Sequence, residues 1–452
     1  LSTSYQATID YLYSLRHFGI KLGLENISRL LEHWGQPQRQ FASVLIGGTN
    51  GKGSAAAFLS SILSRAGYQT GLYTSPHLVD FRERIQIRGE YIPPQEVVPL
   101  TEELQKILAT HSWCDHHPTY FEVTTALAFK YFAEQGVDIA VVEVGLGGRF
   151  DATNILSPAL SLITNVDYDH SEHLGASLSA IAAEKAEIVK PGGILITAEE
   201  KEEVLAVFRR LCQERGAQMV RLQEEVKIKR PRTRYGRQVF DLEGKHGVIK
   251  DLEITLLGEH QRLNATLALL AAIRLRKLGW SKIGGVAIHE GLKKARWPGR
   301  LEILQERPAL VLDGAHNLAA ALALVKALPQ LGYFNKLILV FGVMQDKDYK
   351  NMLATLAPLA AEVILTKPQM ERSQDPKVLA TYAQSAIQIP SHQGRGINAS
   401  AAIQITESVA GACDLALKRA QPEDLILVTG SLFTVGEAKG WWEKKIGERE
   451  KQ

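Results

Sequence analysis

The chain has 452 residues, too many for one ordinary hydrophobic core, so two domains are expected; a hydrophobic content of 45% suits packed globular structure throughout. Lys and Arg number 52 against 49 Asp and Glu, a balance of +3, which argues against a nucleic-acid scaffold and leaves room for a cationic pocket taking an acidic small molecule. Cys114, Cys212 and Cys413 lie far apart with no C-x-x-C pair, which argues against a zinc cluster or disulfide framework and makes a reducing cytoplasm the expected location.

The first residues, "LSTSYQATIDYLYSLRHFG", have no basic segment leading into an apolar core, and the run "ATLALLAAI" at 265–273 is too short to span a bilayer. No cleaved signal and no membrane partner are therefore expected. Apolar runs rich in Val, Ile and Leu recur at 42–47, 139–144, 160–166 and 192–197, with helix-length amphipathic segments between most of them. That alternation reads as parallel strands covered by helices. The spacing predicts helices over 53–66, stopped by Gly67, and over 177–190, stopped by Pro191-Gly192. A basic stretch follows, from Lys227 through Lys229, Arg230, Arg232 and Arg234, with short alternating runs that predict a small antiparallel excursion and a solvated cationic face. A long helix is expected at 259–278, and then "ARWPGRLEIL" at 295–304 reads as a linker because Pro298-Gly299 interrupts it. A second αβ series runs from "ALVLDGAHN" to "DLILVTGS". The expected fold class is α/β: residues 1–297 form an ATP-binding phosphate-loop domain on a parallel sheet, and residues 298–452 a smaller Rossmann-like domain.

Five stretches carry chemistry. In "GGTNGKGS", 47–54, an apolar strand runs through glycines into a helix, although Ile46 and Gly53 depart from the phosphate-loop pattern G-x-x-x-x-G-K-[ST]. Glycines here let backbone N–H groups turn toward phosphate oxygens at a helix N-terminus, and Lys52 supplies a mobile cation. Thr49, Asn50, Gly51, Gly53 and Ser54 complete the candidate ATP loop, with the hydroxyl of Ser54 or Thr49 available to Mg2+. In "VVEVGLGGRFDATN", Glu143 closes a buried-looking strand, where a carboxylate is costly unless paired or on a metal, and Arg149 and Asp151 stand beyond the glycines. "LITNVDYDH" ends another strand in Asp167, Asp169 and His170, a candidate half of a shared metal site. Lys185 lies on an apolar helical face, where snorkelling is the ordinary explanation. "LDGAHN" places Asp313 and His316 after a strand; with Arg300 and Asn264 they form a candidate clamp for adenosine and γ-phosphate across a cleft from the loop.

Taken together with "YTSPHL", "ERI", "YFEVTTALAF", "EKAEIVKPG", "RWPGRLE" and "VTGSLFTVGE", these motifs cover nearly the whole chain in one order. That order resembles the folylpolyglutamate synthase and dihydrofolate synthase family, amide-forming enzymes of the Mur-ligase type. The resemblance implies that ATP phosphorylates a pteroyl carboxylate, Mg2+ (one or two ions) assists, and the amino group of L-glutamate displaces phosphate. Carried over residue by residue, it puts Ser75 and Glu143 on a first Mg2+, Glu143 and His170 on a second, and makes Lys185 a carbamylated lysine meeting that second ion. It assigns Asn264, Arg300, Asp313 and His316 to the nucleotide, and Lys52, Lys185, His170 and His316 to catalysis. Phe121, Arg149 and Asp151 belong on this basis to the pterin side, and "SPHLVDFRERIQIRG" to a loop over the folate site. The family pattern has glycine after "EKA", where this chain has Glu187.

The resemblance favours a bifunctional enzyme acting on dihydropteroate and reduced folates as a monomer, with K+ as a further ion. A single-function folylpolyglutamate synthase is the alternative. A Mur-type cell-wall ligase is more distant, since about 45 residues before the loop are too few for its UDP-binding domain. A non-catalytic nucleotide-binding regulator would have no use for Glu143, His170 and Lys185 together.

Overall fold

The computed structural model of the protein describes residues 4–19, 21, 23–114, 116–169, 174–234, 236–245, 247–387 and 401–449. They group into two compact units, one of Leu1–Arg232, Gln238–Thr255 and Gln261–Arg296, the other of Thr233–Arg237, Leu256–His260 and Trp297–Gln452.

The first unit opens with helices α1 (Tyr5–Ser14) and α2 (Glu25–His33), then strand β1 (Ala42–Gly47) and helix α3 (Lys52–Arg65). Next come β2 (Thr70–Tyr73), the short β3 (Ile85–Ile87) and β4 (Glu90–Tyr91), helices α4 (Pro94–Thr110) and α5 (Tyr120–Glu134), and β5 (Ile139–Glu143). The series ends with β6 (Leu160–Ile163), α6 (Leu178–Ala186), β7 (Ile194–Thr197), α7 (Glu202–Glu214) and β8 (Gln218–Arg221). The eight strands lie in the order β4-β3-β2-β5-β1-β6-β7-β8. From β2 to β8 neighbours are parallel, while β3 and β4 add an antiparallel edge that the apolar runs did not foretell. β1 lies at the middle, with Ile46 in register with Glu143 on one side and Leu162 on the other. Its residues 43–47 are buried because helices cover both faces, as a continuous Val-Leu-Ile run requires. Phe58, Tyr73, Phe129 and Phe132 are fully buried around it. Cutting any of these phenylalanines to alanine would cost roughly 3–5 kcal/mol.

Helix α6 is shorter than its sequence pattern. Ser177 caps its start by accepting from the N–H of Ala180 at 3.2 Å, but the helix ends at Ala186 rather than running to Lys190. Past Ala186 the chain tightens: the N–H of Val189 turns back to the carbonyl of Ala186 at 3.0 Å, an i−3 bond rather than a helical one. The carbonyls of Glu187 and Val189, left open beyond the helix, accept from the side chains of Asn154 and Arg215.

The excursion is antiparallel as expected: β9 (Val226–Arg234), β10 (Arg237–Gly244) and β11 (Gly247–Ile254) lie in the order β11-β10-β9. Arg230 pairs with Asp241 of the neighbouring β10 and Arg232 with Asp251 of β11, so two of its cations meet acids of the other two strands. Helices α8 (Glu259–Lys277) and α9 (Gly285–Lys294) follow.

The second unit carries β12 (Glu302–Glu306), β13 (Ala309–Leu312), α10 (Leu318–Ala327), β14 (Leu337–Phe341), α11 (Tyr349–Leu356) and β15 (Glu362–Leu365). Helix α12 (Pro376–Ile387), β16 (Ala402–Ile405), α13 (Val409–Arg419), β17 (Leu425–Thr429) and α14 (Leu432–Arg449) complete it. The order is β12-β13-β17-β14-β15-β16, parallel except for β12. The part of the linker pattern at 302–304 is thus the antiparallel edge strand of this sheet. Among the described residues, no helix is long and apolar enough to cross a membrane.

Candidate active site

The glycine-rich loop joins β1 to α3, so the first turn of a helix faces whatever the loop holds. Gly51, with φ of 88°, stands just before the helix, and a Cβ there would lie 2.5 Å from Oδ1 of Asn264. Only glycine serves both the turn and the close approach of α8. The loop is tied to the end of β6 and the residues after it. The N–H of Asn50 donates to Oδ1 of Asn165 at 2.9 Å, the hydroxyl of Thr164 to the carbonyl of Asn50 at 2.7 Å, and the N–H of Asp167 to the Thr49 hydroxyl at 2.9 Å. Ser54, 2% exposed in the first turn of α3, has a hydroxyl oxygen without a hydrogen-bond partner among the described residues. A buried orphan hydroxyl is costly, and a cation or phosphate at the loop would satisfy it.

Two lysines converge on one carbonyl. Nζ of Lys52 donates to Gly48 O and to Thr49 O, both at 3.2 Å, and Nζ of Lys185 to Gly48 O at 3.0 Å. Lys185 is only 5% exposed, so snorkelling does not apply to it. Burial, and then the neighbouring Lys52 charge, push its ammonium down to a pKa of about 7 against Asp169 and Asp151, which pull the other way.

Glu143 ends β5 at 6% exposure, and its Oε2 accepts the N–H of Ser75 at 3.1 Å. Ser75 in turn lines a cavity of about 280 Å³ together with Arg84, Phe121, Gly145, Phe150 and Asp151. Asp151 shapes this wall: Oδ2 accepts the N–H of Leu146 at 2.8 Å, and Oδ1 accepts from the N–H of Thr153 at 3.0 Å and its hydroxyl at 2.5 Å. Burial raises the Asp151 pKa, and the hydrogen bonds hold it back. In the same lining the buried Arg84 donates through Nε to Nδ1 of His77 at 2.8 Å, and its guanidinium sits 5.3 Å from the centre of the Tyr120 ring. Within the segment 75–87 residues 75–80 are irregular and regular structure begins at Phe81, where Asp80 and Glu83 form a capping box ahead of β3.

Gly148 permits the glycine-rich wall to meet α6, since a Cβ there would stand 2.5 Å from the carbonyl of Glu184. Arg149 then bonds Glu184 through Nε at 2.9 Å and pairs with Glu187 at 3.1 Å.

In the second unit, Asp313 at 7% exposure accepts the N–H of Leu301 at 2.9 Å through Oδ2 and that of Ala315 at 3.0 Å through Oδ1. Burial raises its pKa against the pull of Arg300. Nδ1 of His316 lies 2.9 Å from Gly314 O.

The structure thus brings Thr49, Asn50, Gly51, Lys52, Ser54 and Lys185 into one cluster, Ser75 and Glu143 into a second beside it, and Arg300 and Asp313 into a third. Asn264, in the first unit, stands against Gly51, because α8 packs on the phosphate loop. His170 lies outside the described residues. Sequence reasoning missed Thr164 and Asn165, which hold the loop, and Arg84, Glu184 and Lys190. The polar pair directly after the strand "LSLI" was the available signal for the first two.

A strand-to-helix phosphate loop, a buried lysine and a buried carboxylate beside a cavity, and a second, largely parallel α/β unit are the features of the Mur-ligase class. The Mur ligase middle domain matches residues 46–272, and the Mur ligase glutamate ligase domain matches residues 299–432. The chain is 34% identical over 439 residues to the dihydrofolate synthase/folylpolyglutamate synthase of Bacillus subtilis, covering 97% of this chain and 99% of that one. It is 36% identical over 448 residues to a probable bifunctional folylpolyglutamate synthase/dihydropteroate synthase of Haloferax volcanii, covering 98% of this chain but only 51% of that longer protein. The structure of the Escherichia coli FolC protein in complex with DHPP and ADP superposes with a TM-score of 0.83 at 28% identity, over 99% of this chain and 100% of that one. The chain belongs to the dihydrofolate synthase/folylpolyglutamate synthase family.

Proposed function

We propose that the protein is an ATP-dependent ligase that joins L-glutamate to dihydropteroate and to the γ-carboxylate of reduced folates through an acyl phosphate. The observation that carries this reading is the position of Ser75. It lines the 280 Å³ cavity and bonds Glu143, so an acceptor in that cavity reaches the carboxylate that is in register with the last residues before the phosphate loop.

The residues present fit Mg2+. The buried Glu143 carboxylate, the Ser75 hydroxyl and the unsatisfied Ser54 hydroxyl are the hard oxygen donors this ion takes. Glu143 and Ser75 would hold a first ion; His170 and a carbamylated Lys185 would join Glu143 on a second. Bound Mg2+ neutralises charge on the phosphates and on the acceptor carboxylate. Lys185 suits carbamylation because a pKa of about 7 leaves much of its amine neutral near neutral pH, and the neutral amine is the form that adds carbon dioxide. K+ as a further ion and action as a cytoplasmic monomer complete the reading.

The chain's own groups supply positioning. Backbone N–H groups from Gly51 to Ser54 at the start of α3 and the Lys52 ammonium cradle the phosphates once Lys52 exchanges two carbonyls for phosphate oxygens. Phe121 and the Asp151 turn form a wall for the flat pterin. Arg300, Asp313 and His316 serve the nucleotide, Asp313 by fixing the backbone at Leu301 next to Arg300. Mass spectrometry of the acceptor after incubation with ATP, Mg2+ and L-glutamate tests the proposal: dihydropteroate gaining one glutamate supports it, and an unmodified acceptor with every folate tried refutes it.

A further inference from the structure

The glycine-rich wall of the cavity is fastened to α6 by a network centred on Glu187, the residue standing where the family pattern has glycine. The Glu187 carboxylate bridges two guanidiniums: Oε1 lies 3.1 Å from Nη2 of Arg149, and Oε2 accepts from Nη2 of Arg215. Arg149 is held from its other side by Glu184, through Nε at 2.9 Å, and its N–H donates to the Glu184 carbonyl at 3.0 Å. Asn154, at the far end of the same wall, donates to the carbonyl of Arg149 at 3.0 Å and to that of Glu187 at 3.4 Å. Its own oxygens accept from Nζ of Lys190 at 2.7 and 2.8 Å. Between these two anchors lie Phe150 and Asp151, which line the cavity.

With glycine at 187, Arg149 would keep a single carboxylate, and Arg215 would face it without the intervening anion. The phosphate loop is held chiefly by bonds to Thr164, Asn165 and Asp167; α6 reaches it through Lys185 to Gly48 O, and none of these bonds includes Glu187 or Arg149. We infer that Glu187 is a positioning residue for the acceptor: by bridging Arg149 and Arg215 it fixes the 145–154 wall, and so sets acceptor affinity separately from that for ATP. This rests on the reading of the cavity as the acceptor site.

The pairs are partly exposed, with 19% exposure at the Glu187 side chain and 41% at Arg149, so their worth is that of a screened ion pair. Replacing Glu187 with glycine should raise the KM for the pteroyl acceptor about fivefold and leave kcat and the KM for ATP within about twofold. Salt gives a second readout. The acceptor KM of the native protein should climb toward the variant's value as ionic strength rises, while that of the variant stays flat. Glu187→Gln preserves side-chain volume and should show the same KM split, which decides the matter if the glycine variant does not fold. Acceptor and ATP constants that rise together, or an acceptor KM that stays at the native value, would overturn the inference. A native protein that turns over neither acceptor would instead sink the functional reading itself.

Discussion

Burying Lys185 carries a cost that the fold alone does not require, and removing it should separate stability from activity. In the unfolded chain this lysine keeps its proton up to its ordinary value of 10.5; in the folded protein it releases it above about 7. Between those two values the unfolded state binds the extra proton, so stability rises with pH across that window and is lowest below it. At about pH 7.5 the penalty is roughly 4 kcal/mol, from about 1.4 kcal/mol for each pH unit between there and 10.5. Lys185→Met keeps the volume, removes the penalty, and gives up the bond to Gly48 O, worth about 1 kcal/mol. The net expectation is a variant more stable by about 3 kcal/mol in urea unfolding under carbon dioxide-free conditions, with most ligase activity gone. Bicarbonate should stabilise the native protein and leave Lys185→Met unchanged, since only a lysine forms a carbamate. A variant no more stable than the native protein, or one retaining the native rate of phosphate release, would refute this reasoning.

Two further perturbations test other parts of the site. Gly51→Ala forces a Cβ onto a φ of 88° and against Asn264. The backbone strain costs about 1–2 kcal/mol, so the KM for ATP should rise about tenfold while that for the acceptor holds, as steady-state kinetics would show. His77 is pushed down to a pKa of about 3 by burial and by the nearby charges of Arg84 and Arg16, so it folds neutral. The unfolded chain protonates this residue near 6.5, so stability is complete above that pH and is lost as pH falls toward about 3. At about pH 5 the loss is roughly 2 kcal/mol, and urea midpoints for His77→Gln should fall less between pH 7 and pH 5 than those of the native protein.

Much of the fold was legible because its strands are buried on both faces and read as continuous apolar runs. The runs at 42–47 and 139–144 became the adjacent β1 and β5. The antiparallel edge strands were not visible: β3 and β4 are short, and β12 has no buried residue and follows the Pro298-Gly299 break. Within the site, Lys52 and Glu143 announced themselves through local context, a lysine at a glycine-rich helix start and a carboxylate ending an apolar strand. What escaped depends on long-range packing. Asn165 reaches Asn50 across 115 residues, and Asn264 meets Gly51 only because α8 lies on the loop. The Glu187 carbonyl left open past α6 is taken by the side chain of Arg215, which arrives from 28 residues away.

On the proposed function, ATP cleavage by the protein is coupled to glutamate addition on a pteroyl acid. The most direct measurement is phosphate release from ATP by the purified protein with Mg2+ and bicarbonate, supplied with L-glutamate and either dihydropteroate or tetrahydrofolate. Release should need both glutamate and acceptor, occur with each acceptor in turn, and leave one glutamate on the acceptor for each first-turnover phosphate. Silence with both acceptors, or release that continues at the same rate when glutamate and acceptor are withheld, would contradict the proposed function.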